Sequence, residues 1–282
     1  MISIITPVYN GKRFIEFCIK NVIEQNCPEA EHIIVDGGST DGTVEIIKHY
    51  ADQYSHIRWI SEKDKGQSDA MNKGIAMAKG EILSCLNVDD YYEPNVLVRI
   101  VEIFKSLPEP SLLVGNCNVW DDKRKISEVN RPAKLKITDL VLKRRINICP
   151  LNPSAYFYHK SLHAKIGLYD ISEHYTLDID FICRAVQSAR VRYVDEIWGN
   201  YRMIAGTKTV RDKQNGTCSA RYSGVMEKYR KQLPLSQRIE VGVRDGYGGV
   251  RDGYGRVRTF LFTIICYISK KVRQLLTDRS LV

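Results

Sequence analysis

Short apolar runs alternate with amphipathic stretches through the first 116 residues. "ISIIT" (2–6), "HIIVD" (32–36), "IRWIS" (57–61), "EILSCLN" (81–87) and "SLLVGN" (111–116) read as strands. Between them, 12–25 has apolar residues at 14, 15, 18, 19, 22 and 23, the spacing of a helix with one buried face. A second helix is expected to run to about Tyr54, capped by Ser39, Thr40 or Asp41. A third spans 66–80 with Gly80 as its C′ glycine, and a fourth spans 93–106 with Pro94 near its first turn. Regular alternation of this kind predicts right-handed crossovers and an α/β fold with a mainly parallel sheet. Ligands of such sheets lie beyond the carboxyl ends of the strands. Thr6-Pro7, Asp36-Gly37, Ser61 to Asp64 and Asn87 to Asp90 all fall there.

The pattern loosens over 116–204. A charged "WDDKRK" precedes a helix-like "ITDLVLKRR", a strand-like "SAYFYHK" and a helix in "LDIDFICRAVQS". Past 205 the chain turns polar and basic, with a near-duplication, "VRDGYGG" (243–249) and "VRDGYGR" (250–256), whose glycines suggest a flexible linker. The net charge of +9 resides in this part. Residues 1–204 hold 26 Lys and Arg against 27 Asp and Glu, whereas 205–282 hold 16 against 6.

Three acidic positions stand out. Asp89 and Asp90 are adjacent at the end of an apolar run, and like charges there require a partner. A carboxylate pair capping the next helix is one explanation. The other is a hard divalent cation shared with a diphosphate. In "VDGGSTDGT" (35–43), Asp36 ends a strand beside glycines that allow close backbone approach, as in a plain turn or a nucleoside site. Asp178, in "TLDIDFICRA" (176–185), sits at a helix start, where an acid suits the helix dipole or serves as a general base. The chain has no Walker lysine motif and no dinucleotide fingerprint, which weakens ATPase and dehydrogenase readings.

Taken in order, "SIITPVYNG", "IIVDGGSTDGT", "DKGQSDAMNKGIAMAKGEILSCLNVDD" and "LDIDFICR" resemble the inverting family 2 glycosyltransferases, over about residues 2–204. The resemblance implies a GT-A fold, a Rossmann-like sheet flanked by helices with a less regular acceptor-side half. It divides the chain into a nucleotide-sugar half (1–116), an acceptor and catalytic-base half (117–207) and a basic C-terminal extension (208–282). It implies that Thr6, Pro7 and Tyr9 lie against the nucleotide base and that Asp36 binds the nucleoside, with Asp64, Gly66 and Gln67 beside it. Asp89 and Asp90 match the DxD-type element for Mn²⁺ or Mg²⁺, with Asp90 as direct ligand and Asp89 facing ribose or metal. Asp178 matches the base, and Arg202 is a candidate phosphate contact. Gly37 and Asn87 depart from the family pattern, where many members carry acids. The implied partners are a nucleotide-diphosphate sugar donor and a saccharide or lipid-linked acceptor. A sugar nucleotidyltransferase and a non-catalytic nucleotide-sugar-binding protein are the alternatives.

Trp120, Tyr156, Tyr175, Trp198 and Tyr201 are candidates for stacking on a sugar or for ordinary packing. Eight scattered cysteines without a CxxC pair suggest reduced thiols. With no visible secretory signal, a cytoplasmic protein is expected. The apolar Phe260 to Ile268 beside Lys270, Lys271 and Arg273 makes 259–273 a candidate contact with an anionic membrane surface; the alternative is a solvated basic tail. Nucleic acid is not expected as a partner, because the basic charge comes without a reading motif.

Overall fold

The computed structural model describes residues 1–142 and 149–248. Strands β1 (Ile2–Val8), β2 (Ala30–Asp36), β3 (Ile57–Ser61) and β4 (Ile82–Cys85) alternate with helices α1 (Lys12–Ile23), α2 (Thr43–Gln53) and α3 (Gln67–Met77). The four strands pair in parallel in the order β3-β2-β1-β4. Next come β5 (Tyr91–Tyr92), α4 (Val96–Phe104), β6 (Ser111–Trp120), β7 (Ile126–Asn130) and α5 (Ile137–Leu140). A 3-10 turn (Pro153–Ala155) then leads into β8 (Tyr156–His159), α6 (Leu162–Ile166), α7 (Leu177–Ser188) and β9 (Arg190–Arg202). Helices α8 (Lys208–Gln214), α9 (Cys218–Gln232) and α10 (Leu235–Gly248) follow.

The sheet continues past β4 through β8, β6, β9 and β5, with β7 paired to β6. It is mixed. β8 runs antiparallel to both β4 and β6, while β6 and β9 are parallel. The α/β class and the mainly parallel first half agree with the expectation, but β9 had no counterpart in it. The 13-residue sequence of β9, "RVRYVDEIWGNYR", is charged and largely solvent-facing at its start, so it lacks the apolar run that marks a buried strand.

Period-two alternation divides the sheet between two helical layers. Ile4, Leu113 and Phe157 pack with Cys18, Leu97, Ile100 and Trp198, on the side of α1 and α4. Their sequence neighbours Ile5, Leu112 and Tyr156 pack with Met71, Phe181 and Ile182, on the side of α3 and α7. Burial of both faces explains why these strands are apolar almost throughout.

Several boundaries differ from the expectation. Helix α2 begins only at Thr43, whose N–H donates to Asp41 Oδ1 at 3.1 Å, and Gly42 occupies the cap. Helix α3 stops at Met77 with Ala78 already extended, so Gly80 is not its C′ residue. Within "ITDLVLKRR" only α5 is helical among the described residues; 143–148 lie outside them.

Residue 208 does not mark the end of the core. Met226 and Tyr229 of α9, together with Leu233 and Val241, are buried in the same cluster as Phe181. The expected linker is corrected in its first copy, since 243–248 belong to α10. Three glycines oppose that helix, but Val241 buries one face, Arg244 binds Asp139 and Asp245 binds Arg230. The second copy and the 259–273 segment lie outside the described residues.

Candidate active site

A cleft of about 1350 Å³ opens beyond the carboxyl ends of β1 and β4. On one wall Pro7 and Tyr9 leave β1, and Asp64, Gly66 and Gln67 lead into α3. Asn87, Asp89 and Asp90 follow β4 at its floor, and Asp178 opens onto it from the first turn of α7. Pro150 to Pro153, Tyr201, Met203 and Lys208 complete the far side. Eight of the expected site residues therefore share one cleft: Pro7, Tyr9, Asp64, Gly66, Gln67, Asp89, Asp90 and Asp178.

Three do not line it. Thr6 is fully buried inside β1, not in a loop, and its hydroxyl bonds His32 Nε2 at 2.8 Å. Asp36 is also fully buried. Its carboxylate accepts the N–H groups of Gly38 and Ser39 at 3.0 and 2.9 Å, the Ser61 hydroxyl at 2.7 Å and the Ser39 hydroxyl. In this arrangement it shapes the turn after β2. Arg202 alternates with Tyr201 and Met203 along the chain and lies behind the cleft wall.

The donor-side loops are stitched together. Asn10 N–H donates to Ser39 Oγ at 2.7 Å, Thr40 N–H to Asn10 Oδ1 at 3.0 Å, and Lys12 N–H to Asp41 Oδ2 at 3.0 Å. Gly37 has a steric reason. A Cβ there would lie 2.6 Å from Asp64 Oδ2, so the space for a side chain at 37 is already filled by the Asp64 carboxylate. Asp64 in turn accepts the Gly66 N–H at 2.8 Å, at the start of α3.

Asp90 is 1% exposed. Its Oδ2 accepts from Asn87 Nδ2 at 3.0 Å and Asn152 Nδ2 at 2.6 Å, and its Oδ1 from the Arg202 N–H at 3.0 Å. Burial, then the charge of Asp89, pushes its carboxyl up to about 8 despite these donors. Burial also raises Asp89. Among the described residues neither carboxylate has a Lys or Arg partner within ion-pair distance, and no cluster of three His, Cys, Asp or Glu side chains stands ready for an ion. Two desolvated acids side by side, with no cation in ion-pair contact and only the Arg202 charge acting on Asp89 from a distance, fit a hard divalent cation completed by substrate oxygens. Asp89 and one free lone pair on Asp90 Oδ1 are the available donors.

Asp178 accepts the Tyr156 hydroxyl at 3.0 Å. Burial lifts its carboxyl to about 6, opposed by that hydrogen bond and by the charge of Lys208. A carboxyl poised there is a carboxylate at neutral pH yet basic enough to accept a proton. Two residues along, Asp180 is used differently. It binds Arg184 Nε and Lys228 Nζ at 2.8 Å each and the Tyr229 hydroxyl at 2.7 Å, tying α7 to α9.

Sequence reasoning missed Asn152, which reaches Asp90 from across the cleft, and the role of Tyr156, a fully buried side chain rather than a sugar platform. Neither carries a local signal, because each acts at long range. Trp198 is core at 1% exposure, and Trp120 Nε1 donates to Asn200 Oδ1 at 2.8 Å. Tyr175 and Tyr201 line the cleft; Tyr175 lies under the guanidinium of Arg221 at 3.9 Å and the Lys208 ammonium at 4.8 Å. Among the described residues no helix is long and apolar enough to cross a membrane.

The family model for glycosyl transferase family 2 matches residues 3–167. A PGL/p-HBAD biosynthesis glycosyltransferase of Mycobacterium bovis is 30% identical over 246 residues, covering 86% of this chain and 87% of that protein. An uncharacterized glycosyltransferase of Rickettsia typhi is 29% identical, over 82% of this chain and 73% of its own length. Among solved structures, Staphylococcus aureus TarS 1–349 in complex with UDP-GlcNAc superposes with a TM-score of 0.64 at 15% identity, over 90% of this chain and 74% of that one. A mannosyltransferase of Pyrobaculum calidifontis in complex with GDP-Man and Mn²⁺ gives 0.54 at 17% identity, over 97% and 86%. At these identities the structural likeness establishes the GT-A fold.

Proposed function

From the premise that the chain belongs to glycosyl transferase family 2 and is a glycosyltransferase, we propose that it transfers a sugar from a nucleotide-diphosphate sugar to an acceptor hydroxyl with inversion, using Asp178 as base. One observation carries this reading. Asp178, buried enough to be a competent base, opens onto the same cleft as the adjacent acid pair Asp89 and Asp90.

The donor lies along the wall formed by Pro7, Tyr9, Asp64, Gly66 and Gln67. Asp89 and Asp90 would hold Mn²⁺ or Mg²⁺, which when bound neutralises charge on the departing diphosphate. The acceptor hydroxyl gives its proton to an Asp178 carboxylate oxygen. Its oxygen forms the new bond to the anomeric carbon as the bond to the diphosphate oxygen breaks on the opposite face, and a single displacement inverts the configuration. Tyr156 orients the Asp178 carboxylate for this transfer. A nucleotide complex in the TarS structure, and a nucleotide sugar with Mn²⁺ in the mannosyltransferase, support the donor and metal classes.

The proposed acceptor is a saccharide or lipid-linked saccharide in polysaccharide, lipopolysaccharide or glycolipid synthesis. The biosynthetic name of the mycobacterial relative supports such a role. Peripheral association with the cytoplasmic face of a membrane through 259–273 is part of the same proposal. The nucleotidyltransferase and non-catalytic alternatives are not favoured, since the matched relatives named above are glycosyltransferases.

The test combines titration of UDP-, GDP- and dTDP-sugars in Mn²⁺ with product analysis by NMR. Asp178→Asn is expected to bind donor within about twofold of the parent while transfer falls about a thousandfold. Unchanged turnover removes Asp178 from the reaction, and a product of retained configuration removes the single displacement.

A further inference from the structure

Arg202 lies behind the cleft, at the end of β9, yet it holds both acids of the floor. Its backbone N–H donates to Asp90 Oδ1 at 3.0 Å, and its side-chain Nε donates to the Asp89 carbonyl oxygen. The guanidinium is caged by three rings: Phe17 at 4.9 Å, Phe14 at 5.8 Å and Tyr91 at 5.8 Å. Phe14 and Phe17 belong to α1, which starts directly after the donor-side loop at Asn10, and Tyr91 belongs to β5, directly after the acids. Arg202 therefore joins α1, the acid pair and the last strand of the acceptor half, through its side chain to Asp89 and its backbone to Asp90.

We propose that Arg202 is a positioning residue for the cation site, its Nε–H fixing the Asp89 carbonyl and its backbone N–H the Asp90 carboxylate, so that the two acids present a set geometry to the metal. The inference rests on the metal reading given above and goes beyond it, because the expected role of this arginine was a contact with donor phosphate. Such a contact needs the guanidinium to line the cleft, and Arg202 is not among the lining residues; its guanidinium is packed against Phe14, Phe17 and Tyr91 instead. Nη2 is buried without a hydrogen-bond partner among the described residues, so the guanidinium is held by one directed bond and three rings rather than by a carboxylate. A positive charge kept off the carboxylates steadies the acids without competing for the oxygens that a cation needs. Lysine cannot reproduce this, lacking both the planar face and the side-directed Nε–H.

The experiment measures Mn²⁺ binding from the free-ion electron paramagnetic resonance signal, with UDP or GDP present, alongside the Mn²⁺ activation curve. The proteins are the parent, Arg202→Lys, Arg202→Gln and Phe17→Leu, each checked for folding by circular dichroism. Both arginine variants are expected to bind Mn²⁺ about 10-fold to 100-fold more weakly, the range seen when residues supporting metal ligands are changed. Their kcat should return to within about twofold of the parent at saturating Mn²⁺. Phe17 is 46% exposed, so Phe17→Leu keeps the fold and is expected to weaken Mn²⁺ about two- to fivefold by removing one ring of the cage. Unchanged Mn²⁺ affinity overturns the proposal, and so does a kcat lowered equally at every Mn²⁺ concentration. A parent protein that binds no Mn²⁺ with either nucleotide overturns the metal reading itself, and the proposal with it.

Discussion

On the donor side of the cleft, polar groups sit where their own strands end, and neighbours in space are neighbours in topology. Gly37 and Asp64 follow β2 and β3, which pair with each other, and the loops after β1 and β2 bind each other across adjacent strands. On the acceptor side the supporting groups come from far along the chain. Asn152 reaches Asp90 across 62 residues, Arg202 across 112, and Tyr156 reaches Asp178 across 22. The donor wall is thus a property of local βα units, whereas the acceptor wall depends on the pairing of β6 with β8 and β9, whose β6–β9 register shifts twice between Val114 and Cys117. A disturbance of packing should remain a stability effect in the first region and become a functional one in the second.

The sharpest test of that contrast is a pair of glycines. A Cβ at Gly199 would lie 2.1 Å from Ser154 Oγ and 2.8 Å from the Ser154 backbone carbon, and Ser154 is bonded to Asn152, which holds Asp90. Gly199→Ala is expected to cost about 3 kcal/mol in denaturant unfolding and to lower the activity of the folded fraction at least about tenfold. A Cβ at Gly74 would meet Ile5 Cγ2 at 2.3 Å, an apolar core contact between α3 and β1. Gly74→Ala is expected to cost only about 1 kcal/mol, because helix propensity offsets part of the overpacking, with activity unchanged. Equal loss of activity in the two variants would erase the distinction.

A smaller effect separates the two acids of α7. Asp180→Asn is expected to destabilise the protein by about 2 kcal/mol, since Arg184 loses a mostly buried partner while the half-exposed Lys228 contributes less. Burial works against the Asp180 carboxylate, but Lys228, Tyr229 and Arg184 outweigh it and hold its pKa below the ordinary 3.8. A depressed carboxyl stabilises the fold above its unfolded pKa and loses that contribution as pH falls through the folded value. Unfolding curves of the parent should therefore weaken below about pH 4, and those of the variant should lack this component.

The smallest effect is the tuning of Asp178 by Tyr156. Activity should lose its base form on an acidic limb near pH 6, from the value of about 6 for its carboxyl. Tyr156→Phe removes a donor that favours the carboxylate, so the limb should move upward in pH while the buried ring still fills its place. A limb that stays put in kcat profiles would mean that Tyr156 does not tune the base.

These contrasts also explain what was legible in the sequence. "ISIIT", "HIIVD" and "EILSCLN" became β1, β2 and β4 because each is buried on both faces, and "IRWIS" became the half-buried edge strand β3, each bounded by a local helix. Asp64, Asp89 and Asp178 could be placed because each follows or opens an element with a clear pattern. β9 escaped notice because its first residues face solvent, and its identity comes from pairing with β6, a partner about 80 residues earlier in register. Asn152 and Tyr156 escaped for the same reason. The surroundings of Thr6 and Asp36 were not legible either: position near a strand's end did not reveal that one side chain bonds His32 inside the sheet and the other closes on its own turn.

The crowding of Asp64 against residue 37 binds two positions into a single heritable unit. An acid placed at 37 meets the Asp64 carboxylate as a like charge, so the Asp64 side chain must swing aside to admit it. Exchanging 37 and 64 together should therefore be tolerated better than an acid at 37 alone, a difference that a double-mutant cycle reads as coupling between the two positions.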